Sequence, residues 1–131
     1  MDNQFKTDLD ISSNKFKSNF EKFERLLEEY TSKEEEIKLG GGPLRIQKQH
    51  DKGRMTVRER IEYLIDDNSR FFEIGLYAAY EMYSDVGPIN SAGIITGVGK
   101  IDGRDCMIIA NDATVKAGAY FEITLKKTLR S

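Results

Sequence analysis

The pair Asp102-Gly103 constrains this chain more than any other two residues. It separates Val98-Gly99-Lys100-Ile101 from a segment that begins at Arg104 and becomes the apolar run Met107-Ile108-Ile109-Ala110. An Asp-Gly pair between two strand-like segments predicts a type I′ hairpin, because both central residues of that turn need positive φ. The chain must therefore build antiparallel sheet here, with strands predicted over residues 92–98 and 104–110. Gly93, Gly97 and Gly99 point to twisting or close packing in the first strand. Cys106 falls on the second strand beside Met107 and Ile108, which predicts a buried thiol. No His or Asn arrangement surrounds it to make a nucleophile.

The second strand leads into the stretch around which the rest is arranged, residues 107–127. After the apolar run comes a polar corner, Asn111-Asp112-Ala113-Thr114, then small residues, Lys116-Ala117-Gly118-Ala119. An amphipathic segment from Tyr120 to Arg130 follows. This is a strand, a loop at its C-terminal end and the entry to a helix, the place where open α/β sheets bind ligands. Asn111 and Asp112 suit a turn that satisfies its own backbone. The helical pattern of Phe121, Ile123, Leu125 and Leu129 is still running at Ser131 without a Gly, Asn or Pro stop, so the expectation is a piece of a longer chain.

Upstream, residues 1–12 are polar with isolated Phe5, Leu9 and Ile11, and loose order is expected. Ser12 or Ser13 is placed to cap a long helix reaching about Leu39. Phe16, Phe20, Phe23, Leu27 and Tyr30 recur at alternating steps of four and three, one apolar stripe. It suits either a helix packed on its own domain or one docked on a partner subunit. Gly40-Gly41-Gly42-Pro43 ends that helix and opens a short basic one. The triplet serves either as a turn or as a phosphate cradle. Thr56-Val57-Arg58-Glu59 has the form of a capping box, starting a helix to about Ile65 that buries Ile61, Leu64 and Ile65. Asp66-Asp67-Asn68-Ser69 is a turn, and Phe71-Phe72-Glu73-Ile74 begins a strand. Residues 81–91 are a loop.

The inventory of reactive groups is thin. His50 is the only histidine and Cys106 the only cysteine, which leaves no histidine metal site, no zinc pair and no internal disulfide. Asp112 is a turn former before it is a general base. Net charge is −2, against general nucleic-acid binding, though an acidic helix over residues 21–36 precedes a basic segment over 45–60. No apolar run approaches ~18 residues. Unaided, the residues support a small α+β domain with a ligand-sized loop after a strand.

Four blocks carry a family resemblance: Gly40-Gly41-Gly42, then Arg54-Met55-Thr56-Val57-Arg58-Glu59-Arg60-Ile61, then Gly93-Ile94-Ile95-Thr96-Gly97-Val98-Gly99, then residues 107–127. Together they resemble, in the family's order, the carboxyltransferase (β) subunits of biotin-dependent acyl-CoA carboxylases. The methylcrotonoyl-CoA carboxylase type is nearest in character and the propionyl-CoA carboxylase type next. The resemblance implies an α+β or α/β chain: N-terminal helices over residues 1–39, then, over 40–131, the start of an incomplete crotonase-like (ClpP/crotonase) ββα superhelix. It implies transfer of CO2 from carboxybiotin to an acyl-CoA. The biotin would sit on a biotin carboxylase/biotin carboxyl carrier partner, in a homo-oligomer expected to be hexameric, in bacterial cytoplasm or the mitochondrial matrix. The family's oxyanion-hole glycines follow the segment matching residues 107–127, so no catalytic residue is expected here, and no metal. CoA contacts are expected at Lys116, Ala117, Gly118 and Ala119, and at Arg54. Relatives often have Gly-Gly where this chain has Lys-Ala-Gly, which asks Ala117 to keep φ negative or accept strain. The alternatives are a biotin-dependent acyl-CoA decarboxylase subunit and a small non-catalytic interaction module.

Overall fold

The computed structural model describes residues 7–131. The hairpin forms at the expected pair: strand β2 (Ile94–Ile101) runs antiparallel to β3 (Arg104–Asn111), with Ile101 opposite Arg104 and Ile94 opposite Asn111. Asp102 and Gly103 both take positive φ, 54° and 74°, as a I′ turn requires. A remote carboxylate holds the turn. Asp66 accepts hydrogen bonds from the amides of Asp102 at 2.7 Å and Gly103 at 2.8 Å. A short strand β1 (Phe72–Ile74) adds antiparallel to the other edge of β2, giving the order β1-β2-β3.

The glycines of β2 are there for close approach. A Cβ at Gly97 would lie 2.4 Å from the Phe72 carbonyl and 2.5 Å from the Phe71 ring, and one at Gly99 would lie 2.7 Å from Ile65. The Phe71 ring therefore lies directly on the β2 backbone. On that face Ile95 and Ile108 pack with Val57 and Ile61 of helix α3 (Val57–Leu64), flanked by Ile65, Phe71, Ile101 and Ala110. A second apolar cluster joins Ala79, Ile89, Ala92 and Val115, with Tyr83, Phe121 and Ile123 against it. Helix α4 (Glu122–Arg130) starts beside this cluster.

Local signals held the helices where they were expected. The Ser13 hydroxyl accepts from the Phe16 amide at 3.1 Å, at the start of α1 (Asn14–Lys38). Pro43 occupies the first turn of α2 (Pro43–His50). At Thr56 both arms of the capping box are made: the Glu59 amide donates to the Thr56 hydroxyl, and the Thr56 amide donates to the Glu59 carboxylate at 2.6 Å. The carboxyl of Glu59 is held below its usual range, chiefly by that Thr56 amide and then by His50 at 2.9 Å.

Several boundaries and burials differ. Helix α3 stops at Leu64, which is 51% exposed, because the chain turns extended at Ile65 and leaves Leu64 on the solvent side. Strand β2 begins at Ile94, since Ser91, Ala92 and Gly93 form a left-handed turn instead. Cys106 is only half-buried, as β3 is an edge strand. On α4 the buried positions are Thr124 and Lys127, while Leu125 and Leu129 face outward. The expectation of loose order for residues 1–12 falls partly on residues 1–6, outside the described residues. Two compact units result, one ending at Lys33 and the other Glu34–Ser131. In the first, Phe20, Phe23, Leu27 and Tyr30 of α1 are exposed.

Candidate functional site

The loop that leaves β3 is built on two buried polar residues. The Asp112 carboxylate accepts from the Thr114 amide at 2.9 Å and from the Thr114 hydroxyl at 2.6 Å. The same hydroxyl accepts from the Gly41 amide at 3.0 Å, across 73 residues of sequence. Asp112 is thus the turn former of the two readings open to it. Gly40 and Gly41 are needed because the loop touches their backbone. A Cβ on Gly40 would stand 2.5 Å from the Asp112 carboxylate, and one on Gly41 would stand 1.8 Å from the Thr114 carbonyl. The Asn90 amide closes the arrangement by donating to the Gly40 carbonyl at 2.8 Å. With the Gly41 N–H bonded to Thr114, the triplet is a docked turn.

Three consecutive left-handed residues follow: Lys116 at φ 45°, Ala117 at 55° and Gly118 at 80°. The turn is closed by Gly118 N–H to the Val115 carbonyl at 2.8 Å and Ala119 N–H to Lys116 at 3.1 Å. The Asn111 amide grips it from below through the Gly118 carbonyl at 3.2 Å. Ala117 therefore takes the strained option, at a cost of about 1 kcal/mol for a left-handed Cβ residue. The Lys116 ammonium reaches back to the Val86 carbonyl. The Asn111 side-chain oxygen is buried and unpartnered among the described residues.

Thr114 borders two clefts. One, of about 410 Å³, has Gly40 to Gly42 in its wall and carries Arg45 and Lys116. The other, of about 500 Å³, carries Arg54 and Arg60 with Gln49, Met55 and Asn111. Neither Arg54 nor Arg60 makes a side-chain hydrogen bond or ion pair among the described residues. Arg58 is different. Its guanidinium makes a two-pronged bond to Glu73 at 2.7 and 3.1 Å, and its Nε donates to the Lys38 carbonyl. It holds the fold together and is not available to a ligand. Glu36 shares the wall of the first cleft and Asp112 that of the second, beside cations whose guanidinium forks match phosphate.

Of the sequence-chosen residues, Arg54 lines one cleft and Lys116 the other, and Thr114 stands between them. Ala117, Gly118 and Ala119 form the outer turn and line neither. No group of three or more His, Cys, Asp or Glu residues able to hold a metal occurs among the described residues. Sequence reasoning passed over Arg45 as a site residue and Lys127 altogether. Lys127 is buried, and its ammonium donates to the Ser91 carbonyl at 2.9 Å and the Ile94 carbonyl at 2.7 Å. Burial brings it down from 10.5 to about 8, with Glu73 pulling it up and Arg58 pushing it down. One turn away, the Thr124 hydroxyl donates to the Ala92 carbonyl at 2.7 Å. These two α4 side chains anchor the left-handed turn at residues 91–93.

Comparison with known proteins places this geometry. Residues 48–131 match the carboxyl transferase domain. The mitochondrial methylcrotonoyl-CoA carboxylase beta chain of Dictyostelium discoideum is 46% identical over 123 residues, 94% of this chain and 21% of the relative. Among solved structures, the beta subunit of P. aeruginosa geranyl-CoA carboxylase superposes with a TM-score of 0.83 at 27% identity, covering 96% of this chain and 23% of that one. Transcarboxylase 12S, solved as a hexamer with methylmalonyl-coenzyme A bound, gives a TM-score of 0.75 at 32% identity over 82% of this chain and 21% of its own. The chain spans about a fifth of the length of the curated relatives it matches. The crotonase-type fold expected of the hairpin-and-helix unit is the fold of these structural neighbours. No described helix is long and apolar enough to cross a membrane.

Proposed function

Because the chain belongs to the carboxyl transferase domain family, we propose that it forms the N-terminal part of the carboxyltransferase subunit of a biotin-dependent acyl-CoA carboxylase. The substrate in this reading is methylcrotonoyl-CoA or a similar short acyl-CoA. The observation that carries it is the identity to methylcrotonoyl-CoA carboxylase beta chains along nearly the whole chain. In this reading residues 1–39 are an N-terminal segment carrying α1, and residues 40–131 are the start of the carboxyltransferase domain. Biotin, carried by a biotin carboxylase/biotin carboxyl carrier partner, supplies the activated CO2. The subunit assembles as a homo-oligomer, in the mitochondrial matrix of a eukaryote or the cytoplasm of a bacterium.

The role of this chain is to hold the CoA end of the substrate. Arg54 takes a phosphate of CoA, in a cleft whose second guanidinium, Arg60, is likewise free of an ion pair among the described residues. The 116–119 turn presents backbone to the adenine edge, and the small side chains of Ala117, Gly118 and Ala119 let a planar ring approach. Chemistry at the thioester lies outside these residues, in keeping with their poverty in acid–base groups. The test is an assay of the native polypeptide, purified with its biotinylated partner, for bicarbonate- and ATP-dependent carboxylation of short acyl-CoAs. Carboxylation of 3-methylcrotonoyl-CoA supports the reading. Absence of carboxylation with every acyl-CoA offered overturns it.

A further inference from the structure

Ser91, Ala92 and Gly93 run left-handed, with φ of 51°, 59° and 68°. Two of them carry a Cβ, and such residues keep that hand only where the surroundings enforce it. All three are buried, and so is Ile94. Their carbonyls therefore need donors from inside the protein. Each has one. Lys127 donates to Ser91 at 2.9 Å and to Ile94 at 2.7 Å, and Thr124 donates to Ala92 at 2.7 Å. The Asp112 amide donates to Gly93 at 2.9 Å. Three of these four bonds come from two side chains of α4.

The support continues to the second left-handed turn, at residues 116–118. The Asp112 whose amide meets Gly93 is the residue whose carboxylate holds Thr114. Ala92 packs in one buried cluster with Val115, the residue before the turn. Gly93 is close enough that a Cβ on it would stand 3.6 Å from Val115 Cγ1 and 3.8 Å from the Ala119 carbonyl. The Val115 carbonyl in turn accepts the Gly118 amide at 2.8 Å. One left-handed turn rests on the other, and the lower one is gripped by an ammonium. Every contact lies inside the compact unit Glu34–Ser131.

We propose that Lys127 is a positioning residue for the candidate site, a tethered cation that fixes the 116–119 turn by holding the carbonyls of residues 91 and 94. An ammonium brings three N–H donors on a long stem, which lets one side chain serve two carbonyls from the neighbouring helix. The positioning stands whether or not the turn binds CoA. Its effect on CoA rests on the carboxyltransferase reading.

The experiment is hydrogen–deuterium exchange of the native polypeptide, read by mass spectrometry on fragments covering residues 115–121 and 100–105. The second fragment carries the Asp102 and Gly103 amides bonded to Asp66, at the far end of the hairpin, and reports general loosening. Lys127→Met should speed exchange in 115–121 about tenfold or more, the scale of a lost charge-assisted hydrogen bond, and leave 100–105 within about twofold. Lys127→Gln keeps an N–H donor without the charge. It should act on the same fragment to a smaller degree, and it carries the test if Lys127→Met does not fold. In Lys127→Ala, added propylammonium should slow exchange in 115–121 again, and tetramethylammonium, which has no N–H, should not. Equal acceleration of both fragments would make Lys127 a general stabiliser and overturns the proposal. So does unchanged exchange in 115–121, or equal rescue by the two cations. KM for acyl-CoA in the same variants tests the other reading separately: a loosened turn with unchanged KM strikes the CoA contact and leaves the positioning in place.

Discussion

Lys127 is joined to Ser91 by a 2.9 Å hydrogen bond from its ammonium to the backbone carbonyl, across 36 residues of sequence. Together with the bond to Ile94 it ties α4 to the start of β2. The amine is buried, and its proton is held less tightly in the fold than in the unfolded chain: about 8 against 10.5. Between those values the unfolded state binds more protons, so stability rises as pH climbs through the window. At 1.36 kcal/mol per unit the full gain is roughly 3 kcal/mol. Urea unfolding from pH 7.5 to 10 should show wild type gaining on Lys127→Met by an amount of that order, with other titrating groups cancelling in the difference. A pH-independent difference would sink the assignment.

Gly41→Ala tests the contact between the glycine turn and the Thr114 loop. Its Cβ would stand 1.8 Å from the Thr114 carbonyl, and no flexible side chain there can move aside. A loss of about 3 kcal/mol or more is expected, in the range of severe overpacking. Gly42→Ala meets open space and bears only the strain of φ 90°, ψ 167°, a glycine-favoured conformation, so about 1–3 kcal/mol. Thermal unfolding of the two variants side by side decides the matter. Equal losses would mean the loops do not touch.

Ala117→Gly should raise stability slightly. Relief of left-handed strain gives back about 1 kcal/mol, and the extra freedom of glycine in the unfolded chain removes about half of that. A rise of a degree or two in Tm is the expected reading. A fall would mean that Ala117 does not hold φ 55° in solution.

Arg54→Ala and Arg60→Ala test the proposed CoA contact. If the proposed function holds, each should raise the KM of the native polypeptide for acyl-CoA about five- to tenfold, in line with loss of a charge-assisted phosphate contact. The maximal rate should hardly change, because a phosphate contact in this proposal would act on binding and not on the reacting thioester. Arg58→Ala should instead lower stability, since it strands the Glu73 carboxylate, only 11% exposed. An Arg54 variant with unchanged KM would remove that residue from the site.

Local chemistry settled much of this protein from the sequence by itself. Asp102-Gly103 determined the hairpin, Thr56 with Glu59 the start of α3, and Gly42-Pro43 the break between α1 and α2. Each acts through dihedral preferences or hydrogen bonds within a few residues. The blocks that resemble carboxyltransferases were likewise legible as order along the chain. Tertiary structure decided what depends on neighbours distant in sequence. It made Gly41 indispensable through Thr114, turned Gly97 into the floor beneath the Phe71 ring, and sorted Arg58, paired with Glu73, from Arg54 and Arg60, which have no ion pair among the described residues. It also buried Lys127, whose charge gives no sign of burial in the sequence. Its partners are carbonyls of a left-handed turn, and backbone oxygens leave no mark in the letters of a sequence. Burial and pairing belong to the packed chain because the free energy of a charge depends on which atoms replace its water.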